Sequence, residues 1–486
     1  MEDYKKKVKL NALSAYLNLF INSFVLFIIS PLLVRFLGDM NFGIWKSIQK
    51  ILSITSVADG RSSQALKSFI ANSESDLDFD KKKRLIGSAL KVSFYFMPLT
   101  LVVVALMVYY LPSLMNDIPK EYVSIVRITG FILGINLIIT PLLTIPDSIL
   151  IGTNNVFKLN FVQTFTTVLM NCLFLLTAYL GYGIIGLAGV STFILILNGL
   201  IIYIICRKNI LWFGIKKPEK EEVDVFFNFS FWVLLWVFIE RLFLSTEIFL
   251  IGYLINPVEV TKYSFSAYVV QLVIPVALLT GSAFIPTLGN LVGQKDFSNA
   301  AKVISNIKQA LRIIAIAFGC GIILFNNIFV ELWVGKEYYL GDFNNFLMVL
   351  IMIQLLLFRN DSQIKDLTLD IKKKVIYGAI GTVLVFLLGI ITYRYYSSIT
   401  AIFISIFVGR LLLTIVFRKQ VNSFFSLPVE FKDELIILSI ISFTYCLFTY
   451  LLEDNLLFKI SYFLLLVIVL VKYFGGNKIL KFLIKK

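Results

Sequence analysis

Apolar runs of about twenty residues, parted by short charged loops, recur from one end of this chain to the other. Such a run is long enough to cross a bilayer as one helix. Within lipid every backbone N–H and C=O must bond inside its own segment, so the runs are read as helices. The stretches 12–34, 44–70, 86–111, 124–146, 158–180, 184–206, 225–255, 260–286, 304–332, 344–358, 375–394, 398–417, 435–452 and 457–474 predict about fourteen spans. The expected fold class is therefore all-α and polytopic. The second stretch is unusual in carrying Lys46, Lys50, Asp59, Arg61 and Lys67. The tenth stops short at Arg359, so its helix has either to tilt or to run on past Asp361.

Composition agrees. Of 486 residues, 58% are hydrophobic and 15% charged, where soluble domains carry about 25% charged residues. Lys and Arg collect on the cytoplasmic side of membrane proteins. With the N-terminus and its Lys5, Lys6, Lys7 and Lys9 inside, the inner loops hold Lys81 to Arg84, Arg207 to Lys220, Lys295, Lys372 to Lys374, Arg418 with Lys419, and the tail from Lys478. The outer loops keep only isolated cations such as Lys120, Lys262 and Lys336. Both termini are thus expected on the cytoplasmic side.

A net charge of +15 raises the question of nucleic acid. The basic residues sit in short clusters between apolar runs, and no zinc-finger, RRM or helix-turn-helix pattern occurs, so no nucleic-acid partner is expected. The four cysteines, Cys172, Cys206, Cys320 and Cys446, lie far apart inside apolar stretches, without disulfide or metal spacing. Histidine is absent, and with it the usual general base. No phosphate-binding loop or nucleophile elbow appears. The chain reads as a transporter without cofactor or metal, not as an enzyme.

The sequence also repeats itself. Asp78-Phe79 recurs as Asp296-Phe297, and Lys120-Glu121-Tyr122 as Lys336-Glu337-Tyr338, at nearly the same offset and the same place in the hydropathy pattern. This predicts two six-helix lobes in parallel orientation, residues 1–208 and 222–420, joined by a basic cytoplasmic linker at 209–221. Residues 421–486 would add two helices and a basic tail. Parallel repeats of this kind place a substrate site between the halves.

Polar residues inside spans mark candidate sites. Asn11, Ser14, Asn18 and Asn22 form one stripe on the first helix, fitting either interhelical hydrogen bonds or a cavity lining; Asn18 and Asn22 are the cavity candidates. On the seventh span Trp232, Trp236, Glu240 and Glu247 share a face, with Arg241 about 100° away. Aromatic and acidic groups together suit a sugar. Lys46, Lys50 and Arg61 fall within about 60° of one another on the second span, and three cations there call for water or an anion. Lys67 and Arg127 sit near span ends, where long side chains reach the interface.

The first two helices carry a resemblance. Pro31-Leu32-Leu33-Val34-Arg35-Phe36-Leu37-Gly38 is followed by Phe42-Gly43-Ile44-Trp45, then Asp59-Gly60, then Ala65-Leu66-Lys67-Ser68-Phe69-Ile70-Ala71. This pattern resembles the Wzx-type flippases of the multidrug/oligosaccharidyl-lipid/polysaccharide exporter superfamily. The chain departs from it in reading Asp-Gly where the family has Asp-Leu-Gly, and in having Lys46 and Lys50. The resemblance implies an alternating-access carrier for an undecaprenyl-pyrophosphate-linked oligosaccharide, for O-antigen, capsule or a related polymer. It also implies membrane lipid, and the polymerase and other assembly proteins, as partners. Lys46, Lys50, Arg61 and Arg241 would then meet the pyrophosphate. Asn18, Asn22, Trp236, Glu240 and Glu247 would serve sugar binding or gating. A cation-coupled drug exporter, a lipid II flippase and a membrane polymerase or glycosyltransferase remain as alternatives.

Overall fold

The computed structural model describes residues 2–55, 62–72, 78–282, 284–367, 371–425, 427, 431–451 and 455–473. They fold into helices, with no strand among the described residues. Cα packing divides the chain into two compact units, Met1–Val260 and Thr261–Lys486.

The first unit holds α1 (Glu2–Leu37), α2 (Asp39–Thr55), α3 (Ser62–Asn72), α4 (Phe79–Tyr110), α5 (Lys120–Leu143), α6 (Ile145–Gly152), α7 (Val156–Tyr179), α8 (Gly183–Asn209) and α9 (Lys220–Leu254). A single 3-10 turn, Leu111–Leu114, follows α4. α1 packs along α7, where the Asn11 amide donates to Asn154 Oδ1 at 2.7 Å and the Asn160 amide donates to Ser14 Oγ at 2.9 Å. At the end expected to face the cytoplasm an apolar core gathers Leu66, Ile70, Ile86, Ala89, Ile149 and Ile202.

Trp212 and Phe226 join that same core. The expected linker is thus packed onto the unit, not loose. Lys216 N–H donates to the Lys83 carbonyl at 3.2 Å, and Lys216 Nζ pairs with Asp80 at 2.6 Å. Arg84 pairs with Glu222 at 2.8 Å. α9, the first helix after the linker, consequently packs with α2, α3 and α4. The division by packing falls after α9, whereas the sequence repeat is expected to turn over before it.

The second unit holds most of α10 (Pro257–Ser266), then α11 (Tyr268–Ser282), α12 (Ile285–Gly293), α13 (Phe297–Trp333), α14 (Asp342–Asp366), α15 (Ile371–Tyr396), α16 (Ile399–Phe424), α17 (Lys432–Cys446) and α18 (Leu456–Tyr473). α17 and α18 both pack on α13, where Phe463 meets Phe325 edge-on at 5.7 Å.

Among the described residues ten helices are each long and apolar enough to cross a membrane, and α10 with α11, bent by 57°, makes an eleventh. The stretches marked out in the sequence each fall on a helix or a broken pair. The second is split between α2 and α3, the seventh is α9 and the last is α18. The short tenth stretch runs on, as α14 continues past Asp361 to Asp366. Large apolar side chains such as Phe131, Phe161, Phe193 and Leu412 stand exposed along the helices, which suits lipid as the solvent.

The repeated motifs resolve differently. Asp78 and Asp296 are both N-caps: Asp78 accepts from Lys81 N–H and opens α4, and Asp296 accepts from Asn299 N–H and opens α13. Lys120-Glu121-Tyr122 starts α5, but Lys336–Tyr338 is a 3-10 turn ahead of α14.

Candidate functional site

α2 buries one face through Phe42, Ile44, Trp45, Ile48, Ile51 and Leu52. Phe42, Lys46 and Lys50 follow at four-residue spacing and so form one stripe. Both lysines are half-buried, and the Lys46 ammonium stands 5.1 Å from the centre of the Phe42 ring. The neighbour across this region is α9. At Gly252 a Cβ would lie 3.1 Å from Ser47 Oγ, so the absence of a side chain there lets the two helices close up. The far end of α9 is held by Asn116, whose N–H donates to the Gly252 carbonyl at 2.9 Å and whose amide donates to the Ile255 carbonyl at 3.1 Å.

With Ser47 against Gly252, one turn along α2 brings Lys50 toward Glu247. The Lys50 charge is attracted by Glu247 and repelled by Arg241, and Lys46 is repelled by Lys50. Glu247 is 8% exposed, whereas Arg241 lies open. The structure thus gathers Lys46, Arg241 and the buried carboxylate of Glu247 around Lys50. Such a group, with its acid buried and its cations half-buried or open, has the chemistry to hold an anion, with the acid as a counter-ion.

The remaining candidates are placed otherwise. Arg61, with Asp59, lies outside the described residues. Trp236 and Glu240 stand half-buried on α9 before Glu247, each engaged with a neighbour. On α1 the Asn22 amide donates to Asn18 Oδ1 one turn earlier. Asn22 Oδ1 is buried without a hydrogen-bond partner. Among the described residues no hydrogen bond joins this pair to α2 or α9. The asparagine stripe therefore divides, its first half bridging to α7 and its second half pairing with itself. Arg127 is exposed and lies over the Tyr109 ring at 5.6 Å.

Sequence reading missed a second polar interior. In the second unit Arg418 binds Asp361 at 2.7 Å and Glu434 at 2.7 Å. Lys374 binds Asp366 at 2.5 Å and the Ser362 carbonyl at 3.1 Å, and Arg410 is wholly buried. The signal was present in the polar run from Arg359 to Asp366, directly after an apolar stretch too short to span. Asp147 on α6 was also passed over; burial pushes its carboxyl up to about 7. Among the described residues no group of His, Cys, Asp or Glu is placed to hold a metal ion.

Residues 8–292 match the family model described as "Polysaccharide biosynthesis protein". A search of curated protein sequences gives no match. Among solved structures, the chain resembles lipid II flippase MurJ in an inward closed conformation, at 14% identity and TM-score 0.69, covering 97% of this chain and 99% of that one. It also resembles an inward-facing multidrug resistance MATE family transporter, at 16% identity and TM-score 0.64, covering 86% and 95%. A third likeness is a transporter of the same superfamily from Pyrococcus furiosus with a binding pocket of reverse polarity, at 15% identity and TM-score 0.57, covering 86% and 94%. At these identities the likeness is one of fold.

Proposed function

The chain belongs to the polysaccharide biosynthesis protein family, a multi-pass membrane protein with the fold of flippases and exporters, and on that premise we propose that it flips an undecaprenyl-pyrophosphate-linked oligosaccharide from the cytoplasmic to the outer leaflet by alternating access. The observation that carries this reading is the α2–α9 group, in which Lys46, Lys50 and Arg241 outnumber Glu247. A pyrophosphate is a compact multivalent anion. Lysine meets it as a point charge and arginine as a planar fork. With cargo absent, Glu247 supplies the counter-charge; with cargo bound, the phosphate oxygens take that role. Trp236 and Glu240 further along α9 offer an aromatic face and a hydrogen-bond acceptor to the sugar. The polyprenyl tail stays in lipid while the headgroup crosses.

The test is a transport assay on single variants, with membrane abundance measured alongside. Lys50→Gln leaves Glu247 beside one fewer cation. We expect surface polymer to fall steeply in Lys50→Gln and Arg241→Gln at unchanged abundance, and Lys50→Arg to keep export. Normal export in both Gln variants would overturn the assignment of this site. Flipping of lipid II, or drug efflux without effect on polymer, would replace the cargo.

A further inference from the structure

α14 runs through the interior of the second unit, with every side chain from Leu347 to Phe358 buried. Two of its carboxamides find protein partners there. Asn345 Oδ1 accepts from the Asn326 amide at 2.8 Å, and the Gln354 amide donates to the Phe407 carbonyl at 2.9 Å. Asn360 is different. It is 3% exposed, and both its Nδ2 and its Oδ1 are buried without a hydrogen-bond partner. Three residues on, Gln363 Oε1 is likewise buried and unpartnered, although Gln363 as a whole is only half-buried.

The two side chains are neighbours on one face of α14, and that face is turned toward Gly281 on α11. A Cβ on Gly281 would lie 2.9 Å from Asn360 Oδ1 and 3.7 Å from Gln363 Oε1. Glycine thus leaves bare two oxygens that a side chain would cover. α11 ends at Ser282 and α12 begins at Ile285, so the amides meet a helix close to its break. Asn360 lies about 27 Å along α14 from Asp342, toward the end that the loop charges assign to the cytoplasm.

An unpaired buried amide is costly, and the atoms left bare define what would complete it. A cation would suit the oxygens and be repelled by the N–H donors of Asn360. An anion would suit those donors and be repelled by the oxygens. A hydroxyl both donates and accepts. Two neighbouring hydroxyls of a sugar ring can take the amide together, one donating to Oδ1 and the other accepting from Nδ2, with Gln363 Oε1 as a third contact. A buried site built to bond a hydroxyl rejects a ligand that lacks it, because the amide is then left unpaired.

We propose that Asn360 and Gln363, left uncovered by Gly281, bind hydroxyls of the cargo's sugar and set which oligosaccharide is accepted. This rests on the reading of the cargo given above, and concerns its sugar as the α2–α9 group concerns its pyrophosphate.

Two lipids test it: the lipid-linked oligosaccharide extracted from polymerase-deficient cells of the host, and undecaprenyl pyrophosphate without sugar. Binding of each to the full chain in detergent would be followed by thermal unfolding. The unaltered chain should bind the sugar-bearing lipid about tenfold or more tightly than the bare one. Asn360→Leu should lose that preference and keep its affinity for the bare lipid. Gly281→Ala should act in the same way with both amides intact, by setting a methyl group against Asn360 Oδ1. If Asn360→Leu unfolds early without lipid, Gln363→Met, a milder change at a half-buried position, should still weaken the preference. Lys50→Gln should weaken binding of both lipids alike. Equal binding of the two lipids by the unaltered chain, or a preference kept in Asn360→Leu and Gln363→Met, would overturn the subsite. A kept preference with a higher melting temperature in Asn360→Leu would show that water alone completes the amide. Failure of the unaltered chain to bind either lipid would instead overturn the reading of the cargo, and this subsite with it.

Discussion

Asp147 keeps a carboxyl oxygen buried without a hydrogen-bond partner, on a short helix between two spans. The Cys206 thiol lies beside it, donating to the Pro146 carbonyl at 3.3 Å and feeling the Asp147 charge. Its carboxyl is raised from 3.8 to about 7, chiefly by desolvation. The sign of the consequence follows from proton counting. Between about pH 4 and pH 7 the folded chain holds a proton that the unfolded chain has released, so stability falls as pH rises through that window and the full penalty stands above it. Asp147→Asn should therefore remove this slope and raise thermal stability at pH 8 more than at pH 5. Melting the detergent-solubilised protein at both values checks it, and an unchanged slope in the variant would reject the assignment. The sequence offered little warning of Asp147. It shows an acid after Pro146 at a span end, and its burial comes from packing α6 against α3 and α8. Lys46 and Lys50 were legible for the opposite reason: two cations one turn apart inside an apolar stretch stand out before any fold is known.

Elements were read well where one physical rule governs them and poorly where neighbours decide. Helix starts at α4 and α13 precede the apolar stretches by about two turns, because Asp78 and Asp296 cap polar first turns that hydropathy does not see. The nearness of α2 and α9 was expected only through a shared pyrophosphate; the direct contact was not legible, since Gly252 and Ser47 reveal their closeness only in the fold. The linker is the clearest case. Its composition reads only as a basic cytoplasmic linker, yet Gly87 on α4 leaves room for the Lys216 carbonyl oxygen, which any Cβ there would overlap. Backbone cannot step aside as a flexible side chain can. Gly87→Ala should push the linker off α4, loosen the Lys216–Asp80 and Arg84–Glu222 pairs, and cost about 1–3 kcal/mol. Proteolysis at Lys216 or Lys217 in inside-out vesicles should quicken in Gly87→Ala. Equal cleavage rates would show that the linker is not held by this contact. A like test at the α2–α9 contact is Gly252→Val, which should lower export with Lys50 intact; normal export would mean that close approach at Ser47 does not position the site.

At the scale of the whole molecule, topology follows from counting crossings between two exposed lysines. Lys120 opens α5 and Lys217 precedes α9. Between them lie α5, α7 and α8, each long and apolar enough to cross, and α6. At 1.5 Å per residue α6 is roughly 12 Å long against a hydrocarbon core of about 30 Å, so it cannot cross. Three crossings put the two lysines on opposite sides of the membrane. The charge of the loops then sets which side is which, because Arg207, Lys208, Lys216, Lys217 and Lys220 are clustered in one connection while Lys120 stands beside Asp117 and Glu121. With the native cysteines replaced by alanine, Lys120→Cys should react with a membrane-impermeant thiol reagent in intact spheroplasts. Lys217→Cys should react only after the membrane is opened. Labelling of both from outside would mean that one of α5, α7 or α8 fails to cross. Labelling of Lys217→Cys alone would keep the crossings and invert the protein.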